Sequence, residues 1–339
     1  MTTQASLYTI AEIGQAHEGS LGMLYAYIDA LAETGVNAVK FQTHVAHAES
    51  SIYEPFRVQF SKQDTTRYEY WERMSFTPEQ WKEIGVYTKS KGLDFISSPF
   101  SNAAVDVLEE ANVDVYKIGS GEVTNLLLLE KIAQTQKPVI ISSGMSSYQE
   151  LDDAVQFLLG RKANVSILQC TTAYPTQPEQ YGLNVITELQ KRYPNLKIGF
   201  SDHSGSLSAG LAAITLGAEI LEFHVVFHKK MFGPDAKASL TLEETKDLVV
   251  CGKEIITALN NPIDKTSNHQ FTDLKSIFEK SLAVNKDLPE GHSIQFEDLE
   301  AKKPKGYGID ASSYQAIIGK KLVKDMKAWA FLTDDDIKN

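Results

Sequence analysis

Cysteine is nearly absent from this chain. Of 339 residues only Cys170 and Cys251 are cysteine, and both sit in apolar runs, which excludes a disulfide scaffold and predicts a reduced, cytoplasmic protein. A surplus of basic residues is missing too: 33 Lys and Arg stand against 44 Asp and Glu, a formal net charge of -11. Broad nucleic-acid binding, which needs a basic surface, is therefore excluded, although an acidic protein can still hold a locally positive pocket for a small anion. No segment approaches about 18 uncharged apolar residues, so no membrane span is expected. The N-terminal MTTQASLYTI lacks the basic and apolar run of a secretory leader. No Gly-x-Gly-x-x-Gly follows a strand-like run, which removes the dinucleotide-binding fingerprint.

What the chain does contain is a regular alternation. Short β-branched runs occur at 7–14, 37–43, 93–98, 114–119, 137–143, 164–170, 196–201 and 218–224. Between and after them lie amphipathic stretches at 22–34, 78–91, 102–111, 124–135, 148–160, 180–193, 206–216 and 241–259. Strands alternating with helices imply parallel βαβ units. Eight units in about 260 residues predict a (β/α)₈ barrel, with an open doubly wound sheet as the alternative. The rhythm stops near residue 260. We expect a catalytic barrel over 1–262, a polar linker over 263–279 and a small module with short strands over 280–339. The long gap after the second strand, 44–77, is rich in aromatic and polar residues, and long βα loops on barrels build active sites.

Barrel chemistry sits at the C-terminal ends of the strands, and here nearly every predicted strand ends in a chemically capable side chain. Glu12, Lys40, Lys117, Glu222 and His224 even lie inside otherwise apolar strands, where a charge is costly unless paired or bound to a ligand. Lys40 and Lys117 suit a doubly anionic substrate, with Ser98, Ser120 and Ser142 as hydroxyl donors. A Lys–Glu core pair and, for Lys117, a Schiff base are the other readings. His203 and His224 end adjacent strands and suit a shared divalent ion with open positions, flanked by Asp202 and Glu222. His17, His44, His47 and His228 are weaker candidates, and His269 and His292 read as surface residues.

The ordered motifs EIGQAHEGS (12–20), VKFQTH (39–44), FISSPFS (95–101), YKIGSGE (116–122), IISSGM (140–145), CTTAYPT (170–176), GFSDHS (199–204), EFH (222–224) and GPDAKASL (233–240) resemble those of the sialic acid synthase family, which includes N-acetylneuraminate, legionaminate and pseudaminate synthases. LxxGxxI at 288–294, KKPKGYGI at 302–309 and IIGKKL at 317–322 resemble its C-terminal antifreeze-like (SAF) domain, so the likeness spans essentially the whole chain.

The resemblance implies condensation of phosphoenolpyruvate (PEP) with an N-acetylated amino sugar and release of phosphate. It implies that Lys40, Ser98, Lys117, Ser120, Ser142, Thr172 and Ser201 hold PEP. His203 and His224 would hold the metal, commonly Mn²⁺ with Mg²⁺ or Co²⁺ as substitutes. Glu122, Tyr174 and Asp235 would meet the sugar, and Glu12 and Glu222 would handle water and protons. A domain-swapped homodimer is implied as well, with Lys303 facing the partner's sugar. The sequence departs from the pattern at Ala16 and Lys303, where the family has Asn and Arg, at Thr172, which is Asn in some relatives, and over 225–232. Arg and Lys are not equivalent at a planar contact. Competing readings are a synthase acting on a phosphorylated aldose, a metal-dependent pyruvate aldolase and a non-catalytic sugar binder.

Overall fold

The computed structural model describes residues 6–338 and divides into two compact units, Met1–Pro262 and Ile263–Asn339. The first unit carries the parallel strands β1 (Tyr8–Glu12), β2 (Ala38–Thr43), β3 (Asp94–Pro99), β4 (Val115–Ile118), β5 (Val139–Ser142), β6 (Val165–Cys170), β7 (Lys197–Asp202) and β8 (Ile220–Val226). Each pairs with the next, and β1 also pairs with β8, closing the sheet into a barrel. A two-residue strand, β9 (Leu240–Thr241), adds to β8. Closure decides between the two predicted topologies, because an open sheet would leave β1 or β8 as an edge.

The helices are α1 (Leu21–Ala32), α2 (Ala46–Glu49), α3 (Arg67–Met74), α4 (Pro78–Ser90), α5 (Asn102–Glu110), α6 (Leu126–Gln134), α7 (Tyr148–Gly160), α8 (Leu183–Arg192), α9 (Leu207–Thr215) and α10 (Leu242–Asn260). All but α2 and α3 follow the predicted periodic stretches, with ends shifted by a few residues. Their starts are written in the sequence: Thr77, Ser147 and Thr241 each close a capping box with Gln80, Glu150 and Glu244, which satisfies backbone N–H groups that no helix can pair internally. None of the described helices is long and apolar enough to cross a membrane.

Inside the barrel the strand period of two sorts side chains into layers. Ile10, Ala38, Ile96, Ile140, Leu168 and Ile220 form one buried apolar cluster. Two residues further along each of these strands come Glu12, Lys40, Ser98, Ser142, Cys170 and Glu222. In the apolar layer β7 contributes Gly199, level with Leu168 and Ile220, because those neighbours fill the space: a Cβ there would lie 2.6 Å from Leu168 Cδ2 and 2.7 Å from Ile220 Cβ. A second and larger apolar layer packs the outward faces of the strands against the helices. The polar layer thus stands on a packed floor and opens toward the C-terminal mouth.

The second unit contains α11 (Thr272–Phe278) within the stretch expected as a linker, then β10 (Ser281–Val284), β11 (Leu299–Lys302), β12 (Lys321–Leu322) and β13 (Ile337–Lys338). The helix hides in a polar segment because Leu274, Ile277 and Phe278 are its apolar residues and all three are exposed. The strands form two antiparallel hairpins around a core of Leu282, Val284, Leu288, Ile294, Ile317, Leu322, Met326 and Leu332.

The hairpins repeat one design that sequence reading missed. Lys286 pairs with Asp298 at 2.8 Å as Lys324 pairs with Asp336 at 2.6 Å. The Gln295–Asp298 capping box recurs as Thr333–Asp336. Burial works against the Asp298 carboxylate, yet Lys286, the Gln295 N–H and His292 outweigh it and hold its pKa at about 2. The left-handed turn residue of the first copy is Gly291 (φ 83°), while that of the second is Trp329 (φ 68°), a bulky residue where glycine is the low-cost choice.

Candidate active site

The polar layer lines a cavity of about 190 Å³ at the C-terminal end of the barrel. Strand register sets its arrangement: Glu12 stands level with Lys40 on one side and His224 on the other, and Ser201 stands level with Glu222. Lys40 Nζ lies 2.9 Å from Glu12 Oε2 and 3.4 Å from Glu222 Oε1, and Lys117 Nζ lies 3.1 Å from the same Glu222 oxygen. Ser201 donates to Glu222 Oε1 at 3.0 Å, and Gln42 Nε2 donates to Glu12 Oε1 at 2.7 Å. Both lysines and both glutamates are almost fully buried. Two amines and two carboxylates therefore balance in formal charge, and the Lys–Glu pairing weighed as one reading of the sequence is present in the ligand-free protein.

The balance is local rather than complete. Burial pushes the Lys117 amine below its ordinary pKa against the pull of Glu222. Burial also works against the Lys40 amine, but Glu12 and Glu222 outweigh it and hold it above the ordinary value. For Glu12 burial alone would raise the pKa, and His224 together with Lys40 drives it far below the carboxylate range instead. Ser142 Oγ and Glu222 Oε2 are buried with no hydrogen-bond partner. Orphaned polar atoms of this kind are costly, and both line the cavity. Ser98, Ser120 and Thr172 line it as well, and Ser120 Oγ accepts from the Gly144 N–H at 3.1 Å. All seven residues expected to hold PEP are thus in one cavity.

His203 and His224 enter the same cavity with ring centroids 5.2 Å apart. Among the described residues no group of three or more His, Cys, Asp and Glu side chains is arranged to hold a metal. The two histidines fit a divalent ion as a pair. Burial, with His224 alongside, holds the pKa of His203 well below the ordinary value, so its imidazole is neutral, as a ligand must be. Nδ1 of His203 lies 3.8 Å from Cys170 Sγ. His224 Nε2 lies 3.2 Å from Glu12 Oε2, which sets its orientation.

A second cavity of about 350 Å³ adjoins the first and shares Gln42, Phe100, Tyr174 and His224 with it. Glu122, Tyr174 and Asp235, expected to meet a sugar, all line it. Burial raises the pKa of the Glu122 carboxyl, against the hydrogen bond from Asn125, and drives the Tyr174 phenol far upward. Sequence reading missed the other half of this wall. Arg57 donates to Asp235 at 3.1 Å, and its guanidinium carbon stands 4.2 Å from the centre of the Tyr174 ring. Arg67 lies over Trp71 at 3.9 Å and 3.5 Å from Glu54. His44, a weaker candidate, is buried between Trp71 and Phe100, with centroids at 3.7 and 4.6 Å, and its Nδ1 meets Glu49 at 2.6 Å. These residues come from the long loop after β2, including α2 and α3. The aromatic and polar richness of 44–77 was the signal for the loop, and no spacing rule picks out which of its side chains face inward.

The remaining candidates lie elsewhere. His17 is a buried core residue packed on Phe76, its pKa lowered by burial to about 3. His292 caps Asp298 in the second unit. Lys303 also belongs to the second unit, where its amine stands 4.8 Å over the Phe278 ring.

A (β/α)₈ barrel whose C-terminal mouth holds buried lysines, hydroxyls and a histidine pair beside a carboxylate-rich chamber has its functional groups where barrel enzymes place theirs. The NeuB family model matches residues 27–264 and the SAF domain model residues 279–338; the chain belongs to the NeuB family. It is 32% identical to the N,N'-diacetyllegionaminic acid synthase of Campylobacter jejuni, over 94% of this chain and 96% of that protein. It is 33% identical to the N-acetylneuraminate-9-phosphate synthase of Homo sapiens, over 94% and 89%. Among solved structures it resembles the N-acetylneuraminic acid synthetase of Leptospira borgpetersenii, with a TM-score of 0.70, 26% identity, and coverage of 80% of this chain and 90% of that one.

The buried charge network predicts strong energetic coupling. Removing one partner of a buried pair leaves an uncompensated charge and costs about 3–5 kcal/mol, whereas removing both is far milder. Glu222→Leu is expected to lose that amount in urea unfolding, and the double variant Lys117→Met/Glu222→Leu is expected to lose much less than the two single losses added together. Additive losses would show that the pair is not coupled.

Proposed function

We propose that this chain condenses PEP with an N-acetylated amino sugar, forming a nine-carbon sialic-acid-type keto acid and releasing inorganic phosphate. The observation that carries the reading is the pairing of chambers: one lined by two buried amines and several hydroxyls, the other lined by carboxylates and aromatics, joined at His224 and Tyr174. The first suits a small polyanion, and the second suits a polyhydroxylated acceptor. The names of the relatives support the same reaction class.

Lys40 and Lys117 bind the acidic groups of PEP, with Ser98, Ser120, Ser142, Thr172 and Ser201 fixing its orientation. Positioning of this kind supplies much of a bimolecular rate. Glu122, Tyr174 and Asp235 hold the open-chain sugar so that its aldehyde carbon faces C3 of PEP. His203 and His224 would hold a divalent metal, Mn²⁺ being the first choice and Mg²⁺ or Co²⁺ the alternatives, which supplies Lewis-acid polarisation of the aldehyde oxygen. As the C–C bond forms, the π pair of the aldehyde moves to its oxygen, which takes a proton to become a hydroxyl, while C2 of PEP becomes electron-poor and takes up water. Glu222 Oε2, buried and without a partner, accepts the proton of that water, with Glu12 as the other candidate base. The resulting tetrahedral carbon expels phosphate by C–O cleavage.

Phosphate release from PEP, followed with Mn²⁺ and a panel of 2-acetamido and 2,4-diacetamido hexoses, tests the reading. A product heavier than the sugar by the pyruvyl unit is expected with at least one sugar, and His203→Ala and His224→Ala are expected to abolish turnover. Full activity in either histidine variant would remove the metal assignment.

A domain-swapped homodimer belongs to the same proposal, with the small domain covering the partner's mouth and Lys303 facing the partner's sugar. Exposed Leu127 and Met145, in the segments that follow β4 and β5, support it as apolar surface in need of cover. Sedimentation velocity is expected to give about twice the 37.6 kDa chain mass; a monomer at micromolar concentration contradicts it.

A further inference from the structure

Gln15 lines the outer chamber almost fully buried, yet its Oε1 has no hydrogen-bond partner. The reason is a chain of side chains that starts at the Glu12 carboxylate. Gln42 Nε2 donates to Glu12 Oε1 at 2.7 Å, which turns Gln42 Oε1 toward Gln15. Two acceptor oxygens cannot meet at 2.6 Å, so it is Gln15 Nε2 that stands at that distance from Gln42 Oε1. The same nitrogen lies 2.9 Å from His44 Nε2 and points its second hydrogen there. His44 Nε2 must then be the bare, accepting nitrogen, and the ring proton sits on Nδ1, 2.6 Å from Glu49 Oε1. The His44 ring is held between Trp71 and Phe100, whose planes make angles of 17° and 5° with it. Glu49 Oε2 accepts from the Val45 N–H at 3.2 Å, which holds the carboxylate in place. Both amide hydrogens of Gln15 are therefore used, and the residue offers the chamber an acceptor and nothing else.

Resting on the proposed condensation, we propose that His44 and Glu49 are positioning residues that act through Gln15. Glu49 sets the tautomer of His44, His44 locks the Gln15 amide, and Gln15 Oε1 selects the sugar by one hydrogen-bond donor, its acetamido N–H or a hydroxyl. A buried acceptor left unpaired is costly, and a matching donor removes that cost. A sugar without the donor leaves the oxygen unpaired, and buried polar groups discriminate strongly in this way. The short helix α2 gains a purpose from this: it carries Glu49 back to His44 and Val45 at its own start.

Nitrogen NMR of the full-length protein carrying ¹⁵N-histidine reads the tautomer directly, with His44→Phe assigning the signal. A proton on Nδ1 and a bare Nε2 are expected for His44 in the ligand-free protein at neutral pH. A proton on Nε2 overturns the proposal whatever reaction the protein catalyses. Kinetics with the sugar turned over fastest in the phosphate-release panel read the consequence. His44→Phe, which keeps a flat ring between Trp71 and Phe100, and Gln15→Met are each expected to raise the sugar KM and to lower kcat/KM for the sugar about tenfold, with the KM for PEP unchanged. The double variant is expected to lose no more than Gln15→Met alone, because His44 acts through Gln15. Losses that multiply, or an equal rise in the KM for PEP, overturn the proposal. Sugars each lacking one donor, by N-methylation of the acetamido group or by removal of one hydroxyl, identify the group that Gln15 meets. One of them is expected to be turned over equally well by the unmodified protein and by Gln15→Met, and the absence of any such sugar overturns the selection. Failure of the condensation is distinguishable, because it appears as no phosphate release with any sugar while the tautomer of His44 is still read.

Discussion

Two lysines and two glutamates sit almost fully buried at the mouth of the barrel, and the rest of the site is arranged around their mutual pairing. An isolated ammonium or carboxylate in such a place would be prohibitive. Glu222 meets Lys40, Lys117 and Ser201 at once, and Glu12 joins Lys40 to His224 and Gln42. One network therefore ties together side chains from β1, β2, β4, β7 and β8, and it holds the amines in place without any ligand. A small polyanion arriving there finds donors already in place, so little reorganisation is needed when it binds.

The second constraint is the floor beneath that network. Because side chains alternate along each strand, the buried apolar cluster one step below the charges fills the barrel beneath them, and the polar layer faces the C-terminal mouth. The outer chamber is built differently. Its wall is a loop pinned by stacked cations and rings, and its geometry is set by aromatic contacts rather than by strand register. A rigid inner pocket and a loop-built outer one divide the labour expected of a two-substrate site, with one part invariant in chemistry and the other tunable for the acceptor.

That division also explains which parts of the protein could be read from sequence. Strand and helix periods are local, and Glu12, Lys40, Lys117, Glu222 and His224 stand out because they interrupt apolar strands at positions where the period of two turns them inward. Ser98, Ser142 and Ser201 follow by the same register. Arg57, Arg67, Glu54 and Trp71 do not, since their inward orientation depends on where α2 and α3 lie in a segment with no long periodicity. The pairing of Lys40 and Lys117 with carboxylates was visible only as one of several readings, because spacing cannot say whether a buried amine faces a glutamate or a ligand; the structure shows the glutamates and leaves Ser142 and Glu222 Oε2 unsatisfied beside them. In the second unit the repeat escaped notice because its two copies share chemistry at a few positions, Lys286 with Lys324 and Asp298 with Asp336, while Trp329 replaces the turn glycine that would have signalled it.

The two buried lysines, held by glutamates in the free protein, are proposed as the binding site for PEP. A crystal structure of the protein with PEP tests this most directly. PEP is expected in the inner chamber, with Lys40 Nζ and Lys117 Nζ each about 2.7–2.9 Å from a PEP oxygen and Ser142 Oγ no longer without a partner. PEP bound elsewhere, with both amines still engaged only by Glu12 and Glu222, would contradict it.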